Sequence, residues 1–228
     1  MRLGVLGRAP SSYDDAFMAR MASAYVEQTP WTQLRLAAVR DLVEPRAGEH
    51  VLDLGSAGGA VSHFLSTFGC RVVGVDSELR AIETARALFP ALEFTCADVA
   101  DLPFADCSFD KAVAADLVEH LEDAPFVAML AEVHRVLRLG GTLSIYTPNP
   151  LHPVERLKGR DLVLARNETH VALRSAGALA RALAAAGFLV DRDEWRPSFW
   201  PGLRALERAG GGRFPTLRYR LCVRGRRR

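Results

Sequence analysis

The apolar residues between positions 50 and 148 alternate between short continuous runs and a repeat of three or four. Short apolar runs are typical of buried β-strands, and the longer repeat is typical of helices that bury one face. Five strands are predicted here, at Val51–Leu54, Arg71–Asp76, Glu93–Ala97, Lys111–Ala115 and Thr142–Thr147. Strands that alternate with helices indicate a parallel sheet joined by right-handed crossovers.

The flanking parts of the chain follow other patterns. Helical spacing predicts two N-terminal helices, Tyr13–Glu27 and Trp31–Glu44, which would lie over the ligand-binding edge of the sheet. After residue 148 the alternation stops, and three elements are predicted: a helix at Ser175–Ala186 and strands at Phe188–Trp195 and Leu217–Val223. No crossover helix is evident between the last two, because residues 198–215 read as irregular, so the last strand is expected to be antiparallel. The expected fold is α/β: a Rossmann-like, doubly wound, mostly parallel seven-stranded sheet.

Length and composition narrow the class of protein. The 228 residues fit one domain, and a net charge of +2 gives no reason to expect nucleic acid as a partner. The basic end, residues 224–228, is expected to be a solvated, disordered tail. Four cysteines without a paired motif read as reduced thiols, and neither a signal peptide nor an apolar run of membrane-spanning length is evident. We therefore expect a cytoplasmic protein.

A glycine-rich turn follows the first strand, in the sequence VLDLGSAGG. A phosphate-binding loop is excluded, because no lysine follows these glycines. A dinucleotide fingerprint is weakened but remains open, because Ala57 stands where its second glycine allows the backbone to approach a pyrophosphate. A third interpretation is an adenosine-containing ligand without phosphate, namely S-adenosylmethionine.

The chain resembles class I S-adenosylmethionine-dependent methyltransferases in a series of blocks that occur in the family's order. The blocks are VLDLGSAGG, GVD at Gly74–Asp76, ADVADLPF at Ala97–Phe104, FDKAVAADLVEHL at Phe109–Leu121 and EVHRVLRLGGTLSIYTPN at Glu132–Asn149. Each block alone is weak, but their joint order is specific. The resemblance implies S-adenosylmethionine as cofactor and S-adenosylhomocysteine as product.

Several residues of the first two blocks are predicted to hold this cofactor. Gly55, Ala57 and Gly59 form the turn against which the methionine part would lie, with Ala57 departing from the family's middle glycine. Asp53 lies beneath the turn, where it either organises the loop or reaches the amino group through water. Asp76 follows Asp53 by 23 residues at the end of strand two, where a carboxylate accepts both ribose hydroxyls.

The later blocks supply the remaining predicted cofactor residues. Leu79 is suited to pack on the adenine face, Asp98 would accept from the adenine amino group, and the backbone of Val99 would meet the ring edge. The carbonyl of Ala115, at the end of strand four, would receive the methionine ammonium. These strand ends share one edge of the sheet, which is where open α/β folds bind ligands.

A base for methyl transfer is predicted directly after strand four. His120 has an unperturbed pKa suited to removing a proton from a hydroxyl, and Glu119 either orients it or contacts the amino group of the cofactor. A structural role for His120 at a helix turn is the alternative. Tyr13, His152 and His170 lie in segments that could face a substrate. No metal is predicted, because no cluster of ligands at metal-binding spacing is evident in the sequence.

The predicted function is methyl transfer to a small molecule, most simply to a hydroxyl oxygen. The motif for methylating planar amines is missing after strand four, and the EHL and TPNP segments resemble quinone-biosynthesis O-methyltransferases. Alternatives are C- or N-methylation of a small metabolite, S-adenosylmethionine binding without transfer, and an NAD(P)-dependent oxidoreductase.

The single domain is predicted to divide by role. Residues 13–44 would form a helical cap, residues 50–148 the cofactor-binding core, and residues 149–172 and 198–215 the substrate or lid inserts. An aromatic cluster, Phe199-Trp200-Pro201, fits a pocket lid, a peripheral membrane contact, a dimer contact or packed core. A monomer and a homodimer agree equally with the sequence.

Overall fold

A computed structural model describes Tyr25, residues 29–158 and residues 170–228. Its strands are β1 (His50–Leu54), β2 (Arg71–Asp76), β3 (Glu93–Cys96), β4 (Phe109–Ala115), β5 (Leu137–Pro148), β6 (Phe188–Arg196) and β7 (Arg220–Arg227). They form one seven-stranded sheet in the order β3-β2-β1-β4-β5-β7-β6. The pairs among β1–β5 are parallel, and β7 runs antiparallel to both β5 and β6. The predicted fold class is confirmed.

Helices cover both faces of the sheet. They are α1 (Pro30–Val43), α2 (Ala60–Ser66), α3 (Leu79–Leu88), α4 (Asp123–Val136), α5 (Pro153–Lys158), α6 (Ala176–Ala185) and α7 (Pro201–Gly210), with short 3₁₀ turns at Val118–His120 and Pro215–Leu217. None of these helices has both the length and the apolar character needed to cross a bilayer. The predicted Tyr13–Glu27 helix lies outside the described residues except for Tyr25, which is helical.

The two faces of the sheet bury separate cores because side chains alternate along each strand. In β1, Leu52 and Leu54 join a core that includes apolar residues of α4 and α6. Val51 joins a second core with apolar residues of α1 and α2. Asp53 follows the same alternation and therefore faces the α1 and α2 side.

The sequence pattern misplaced the boundary between α4 and β5. The predicted fifth strand begins at Thr142, after the Gly140-Gly141 pair, whereas α4 ends at Val136 and β5 begins at Leu137. Leu137 is fully buried and pairs with Phe109, after which the register shifts before Lys111. A buried leucine satisfies a helical stripe and a strand equally well, so its partner in the sheet decides between them.

The basic C-terminus is part of the sheet, so the expectation of a solvated tail is wrong. Residues 224–227 lie in β7, between β5 and β6. Arg224 is buried, and its Nε and Nη1 donate to Asp191 Oδ1 and Glu44 Oε2, each at 2.9 Å. Because each buried guanidinium nitrogen has an acid partner, charge does not keep this segment in water.

Residues 198–215 contain a helix, which corrects their assignment as irregular. Pro201 occupies the first turn of α7, where its missing N–H breaks no helical hydrogen bond. Glu207 of this helix is fully buried, and its Oε2 accepts from Ser198 N at 2.6 Å. A buried acid with a backbone partner fixes α7 against the chain that precedes it.

Replacing Gly74 by alanine is expected to destabilise the fold by about 1–3 kcal/mol, because the added methyl overpacks the core. Its Cβ would lie 2.5 Å from Phe94 Cδ1 and 2.9 Å from Ser56 Cβ. Gly202→Ala in α7 is the control: its Cβ meets nothing within 4 Å, and helix propensity predicts no loss. Urea unfolding measures both, and equal stabilities would contradict the expectation.

Candidate functional site

The glycine turn after β1 is held in a left-handed conformation by contacts with β2. Gly55, Ala57 and Gly59 have φ values of 67°, 45° and 82°. Ser56 N donates to the Val75 carbonyl and Ala57 N donates to Asp76 Oδ2, each at 2.9 Å. The turn is therefore attached to the end of the neighbouring strand. Ala57 is unusual because a residue with a Cβ rarely adopts positive φ.

Packing, in addition to φ, requires glycine at two of these positions. A Cβ on Gly55 would lie 2.8 Å from Leu117 Cδ1, in the turn after β4. A Cβ on Gly59 would lie 2.7 Å from Phe94 Cζ of β3. These glycines therefore let the loop pack closely against its neighbours on both sides, a need that the motif alone does not reveal.

Asp53 lies beneath the turn and is only 1% exposed. Its Oδ2 accepts a hydrogen bond from Ser62 Oγ, on α2, at 2.6 Å. Burial raises the pKa of this carboxyl to about 6, although Ser62 and the Arg35 guanidinium act in the opposite direction. The contact with α2 agrees with the role of organising the loop.

Asp76 and Asp98 come together at the ends of β2 and β3. Asp76 is 5% exposed, and in addition to Ala57 N it accepts from Glu78 N, through Oδ1, at 2.9 Å. Burial raises the pKa of the Asp76 carboxyl. Asp98 is exposed and accepts from Ala100 N at 2.9 Å. The Asp76 carbonyl accepts from Ala97 N at 3.0 Å, which places the two acids in adjacent segments.

Leu79 and Val99 differ in exposure. Leu79 begins α3 and is 52% exposed. Val99 is buried in the core below β3, and its backbone is the part that was predicted to meet the adenine ring.

A cleft opens beside the glycine turn. Four of the predicted cofactor residues line it: Asp53, Gly55, Ala57 and Ala115. Gly59, Asp76, Leu79, Asp98 and Val99 are not part of its lining. The cleft is therefore lined by residues that were predicted to hold the methionine part, and Asp76 and Asp98 are outside its lining.

Arg35 of α1 also lines the cleft and was missed in the sequence. Its Nε donates to Asp116 Oδ2 at 2.6 Å, and its Nη2 donates to the Ala115 carbonyl at 3.1 Å. Arg220 of β7 donates to the other oxygen of Asp116 at 2.9 Å. The two guanidinium groups outweigh burial and lower the pKa of Asp116. No sequence signal marks Arg35, because its partners lie about 80 residues away.

Two aromatic side chains, Tyr25 and Phe89, line part of the cleft. The Tyr25 hydroxyl lies 2.5 Å from His63 Nδ1, and Phe89 stacks on His63 with ring centroids 4.5 Å apart. Tyr25 and Arg35 both belong to the predicted N-terminal cap, so described residues of that cap do reach the cleft.

The predicted catalytic pair lies in the 3₁₀ turn after β4. Glu119 is 1% exposed, and its Oε2 accepts from Thr147 Oγ1 at 2.9 Å. Burial, with a smaller contribution from the nearby Asp116 charge, raises the pKa of Glu119 to about 8. His120 meets His170 edge to face, with ring centroids 5.0 Å apart. The structure therefore brings His170 to the predicted base.

Arg174 holds this turn in place. Its Nη1 donates to the Val118 carbonyl at 2.7 Å, and its Nη2 donates to the Leu121 carbonyl at 2.9 Å. The guanidinium also lies over the Phe126 ring, 4.1 Å from its centroid. Its hydrogen bonds satisfy carbonyls of a short turn that has few internal bonds of its own.

Neither His152 nor His170 lines the cleft. His152 is fully buried, with Nδ1 accepting from Val154 N at 3.3 Å and Nε2 lying 3.0 Å from Glu207 Oε1. It joins α5 to α7 inside the fold, so the expectation that it faces a substrate is replaced by a structural role. Tyr13 lies outside the described residues.

Known proteins resemble this chain in sequence. A family model described as a methyltransferase domain matches residues 51–141. A probable S-adenosylmethionine-dependent methyltransferase of Mycolicibacterium smegmatis is 31% identical over 194 residues, covering 85% of this chain and 72% of that protein. The O-methyltransferase cnsE of Penicillium expansum is 32% identical over 178 residues, covering 74% of this chain and 62% of that protein.

Solved structures share the fold at lower identity. Phosphoethanolamine N-methyltransferase 2 of Haemonchus contortus, solved with phosphomonomethylethanolamine and S-adenosylhomocysteine, has a TM-score of 0.72 at 15% identity. The match covers 95% of this chain and 58% of that protein. Fold and relatives together define an enzyme of the methyltransferase class. The chain belongs to the class I S-adenosylmethionine-dependent methyltransferase family, and S-adenosylmethionine is its cofactor.

The residues at the site fit this cofactor. Each Asp76 oxygen accepts one backbone hydrogen bond and keeps acceptor capacity for a ribose hydroxyl. The glycine turn carries no lysine for a triphosphate, and Ala57 occupies the position at which a pyrophosphate requires bare backbone.

Asp53→Asn is expected to stabilise the cofactor-free protein more at pH 8 than at pH 5. The pKa of the carboxyl is about 6 in the folded protein and about 3.9 in the unfolded chain. Its ionisation destabilises the fold progressively above the unfolded pKa and fully above the folded one. The gain in unfolding free energy is expected to be about 1–2 kcal/mol larger at pH 8. Urea unfolding tests this, with exposed Asp101→Asn as control; a gain independent of pH would contradict it.

Proposed function

We propose that the enzyme transfers the methyl group to a hydroxyl oxygen of a small molecule. The observation that carries this proposal is the position of His120. One short turn separates His120 from Ala115, which lines the cleft, and the His120 ring meets the ring of His170. The Penicillium relative is named an O-methyltransferase, which supports the same class of acceptor.

Residues along the strand edge would hold the cofactor. Asp76 would accept from the ribose hydroxyls and Asp98 from the adenine amino group, with Leu79 against the ring. The glycine turn and the Ala115 carbonyl would face the methionine part. The Arg35 guanidinium, which lines the cleft, supplies positive charge suited to the methionine carboxylate.

S-adenosylmethionine supplies a methyl group whose bond to the sulfonium sulfur breaks with the electron pair remaining on sulfur, so the acceptor oxygen loses only its proton. The protein's part is therefore positioning and proton removal. His120 takes the hydroxyl proton in this proposal, and Glu119 orients it from the buried side of the turn. Arg174 keeps the turn fixed through two backbone carbonyls.

The enzyme, with its small acceptor, would work in a reducing compartment. All four cysteines, Cys70, Cys96, Cys107 and Cys222, are free, which agrees with a cytoplasmic enzyme. The segments outside the common core, residues 149–172 and 198–215, would choose the acceptor. No nucleic-acid partner is proposed, and the enzyme would work as a monomer or a homodimer.

Asp76→Ala is expected to weaken binding of S-adenosylmethionine by about 10- to 150-fold, because a charged hydrogen-bond acceptor is lost. Isothermal titration calorimetry measures this, with S-adenosylhomocysteine and NAD titrated alongside. Glu83→Ala, an exposed acid on α3, is the matched control and should bind normally. An affinity within about twofold of the unmodified protein contradicts the ribose assignment.

His120→Asn is expected to lower turnover by about 100-fold or more while leaving cofactor affinity unchanged. The assay uses labelled S-adenosylmethionine with a panel of phenols, quinols and sugars. His134→Asn, a histidine on α4 that packs against Phe188, controls for the loss of an imidazole. Unchanged turnover in His120→Asn rejects the base, and cofactor binding without transfer to any hydroxyl rejects the proposed function.

A further inference from the structure

Three potential metal ligands meet at the turn that follows β4. Glu119, His120 and His170 each offer one ligand atom, and these atoms lie within 4.8 Å of one another. A tetrahedral ion bound at about 2.1 Å would bring them to about 3.4 Å, a contraction within the reach of small side-chain rotations. His170 lies 50 residues beyond His120, so only the fold brings the three together.

The buried Glu119 carboxyl provides an independent indication that this cluster can bind a ligand. Its Oε2 is bonded to Thr147, whereas Oε1 is buried and has no hydrogen-bond partner among the residues that the structure describes. An unpartnered buried oxygen is costly, because the water it loses is not replaced. A cation held between this oxygen and the two imidazoles would remove that cost.

We propose that Glu119, His120 and His170 bind one divalent transition-metal ion, and that the acceptor hydroxyl binds to this ion during methyl transfer. Two imidazoles and one carboxylate suit Mn²⁺, Co²⁺ or Zn²⁺ better than Mg²⁺, which prefers oxygen ligands. Three protein ligands leave coordination positions open, as in catalytic metal sites. The role in transfer rests on the proposed function; the binding of the ion does not.

The neighbouring charges define which residues can act as ligands. Asp116 already has a guanidinium group on each of its oxygens, from Arg35 and Arg220, and it is not part of the three-residue cluster. With Glu119 ionised, the two acids balance the two guanidinium groups. The ion would therefore add its charge to a locally neutral site.

The metal would change the role of His120 in the reaction. A hydroxyl bound to a divalent ion has a lowered pKa, so its proton can leave to solvent water without a protein base. His120 would then be a ligand and not the proton acceptor. Loss of turnover in His120→Asn agrees with both roles, so a measurement of metal binding is needed to separate them.

Titration of the tag-free, chelator-treated protein with Co²⁺ tests the site, followed by visible absorption and, for Zn²⁺, by calorimetry. The unmodified protein is expected to bind one equivalent. Glu119→Gln, which can still accept from Thr147, and His170→Asn are each expected to lose at least about tenfold in affinity, since even outer-shell changes cost 10- to 100-fold. His134→Asn should bind like the unmodified protein.

Absence of stoichiometric binding, or equal affinity in all variants, overturns the proposal. Circular dichroism and S-adenosylmethionine binding verify that each variant is folded.

A methyl-transfer assay of the chelator-treated enzyme then separates the two proposals. Transfer that is lost and restored by Co²⁺ or Mn²⁺ supports the acceptor-binding role. Transfer that persists without metal overturns that role and leaves the His120 base. Metal binding without transfer to any hydroxyl supports the ion site and overturns the proposed function.

Discussion

The ion pairs of Asp116 connect three distant parts of the chain at the centre of this enzyme. Arg35 comes from α1, Asp116 follows β4, and Arg220 begins β7, so one carboxylate joins the N-terminal helix, the middle of the sheet and the C-terminal strand. Asp116 has a positive φ of 58°, a conformation that these partners help to maintain. Because both arginines are almost fully buried, losing either one would leave a charge without its partner.

The same charge affects the chemistry of the next turn. Asp116 contributes to the raised pKa of Glu119, which burial dominates, and the Arg220 guanidinium acts in the opposite direction. The buried Glu119 carboxyl has one oxygen with a hydrogen-bond partner and one without. Stability alone would favour an apolar residue there. An acid at such a position is better explained by the chemistry that it allows.

Local patterns predicted the sheet well and failed where distant partners decide the structure. The five parallel strands and the acids at their ends followed from short apolar runs, which are local signals. Residues 198–215 read as irregular in the sequence, yet buried Glu207, which accepts from Ser198 N, fixes a helix at Pro201–Gly210. Arg224 was assigned to a solvated tail because charge runs are usually exposed, yet Asp191 and Glu44 provide partners for it inside the fold.

The sequence by itself determined the glycine turn, the strand that precedes it and the alignment of Asp53, Asp76 and Ala115 at one edge, because each depends on neighbours in the chain and on the geometry of parallel strands. Only the tertiary structure decided that Arg35 enters the cleft and that His170 meets Glu119 and His120. These contacts join residues 50 to 80 positions apart, and no local propensity encodes such a distance. They form because burying both faces of the sheet brings separate segments together.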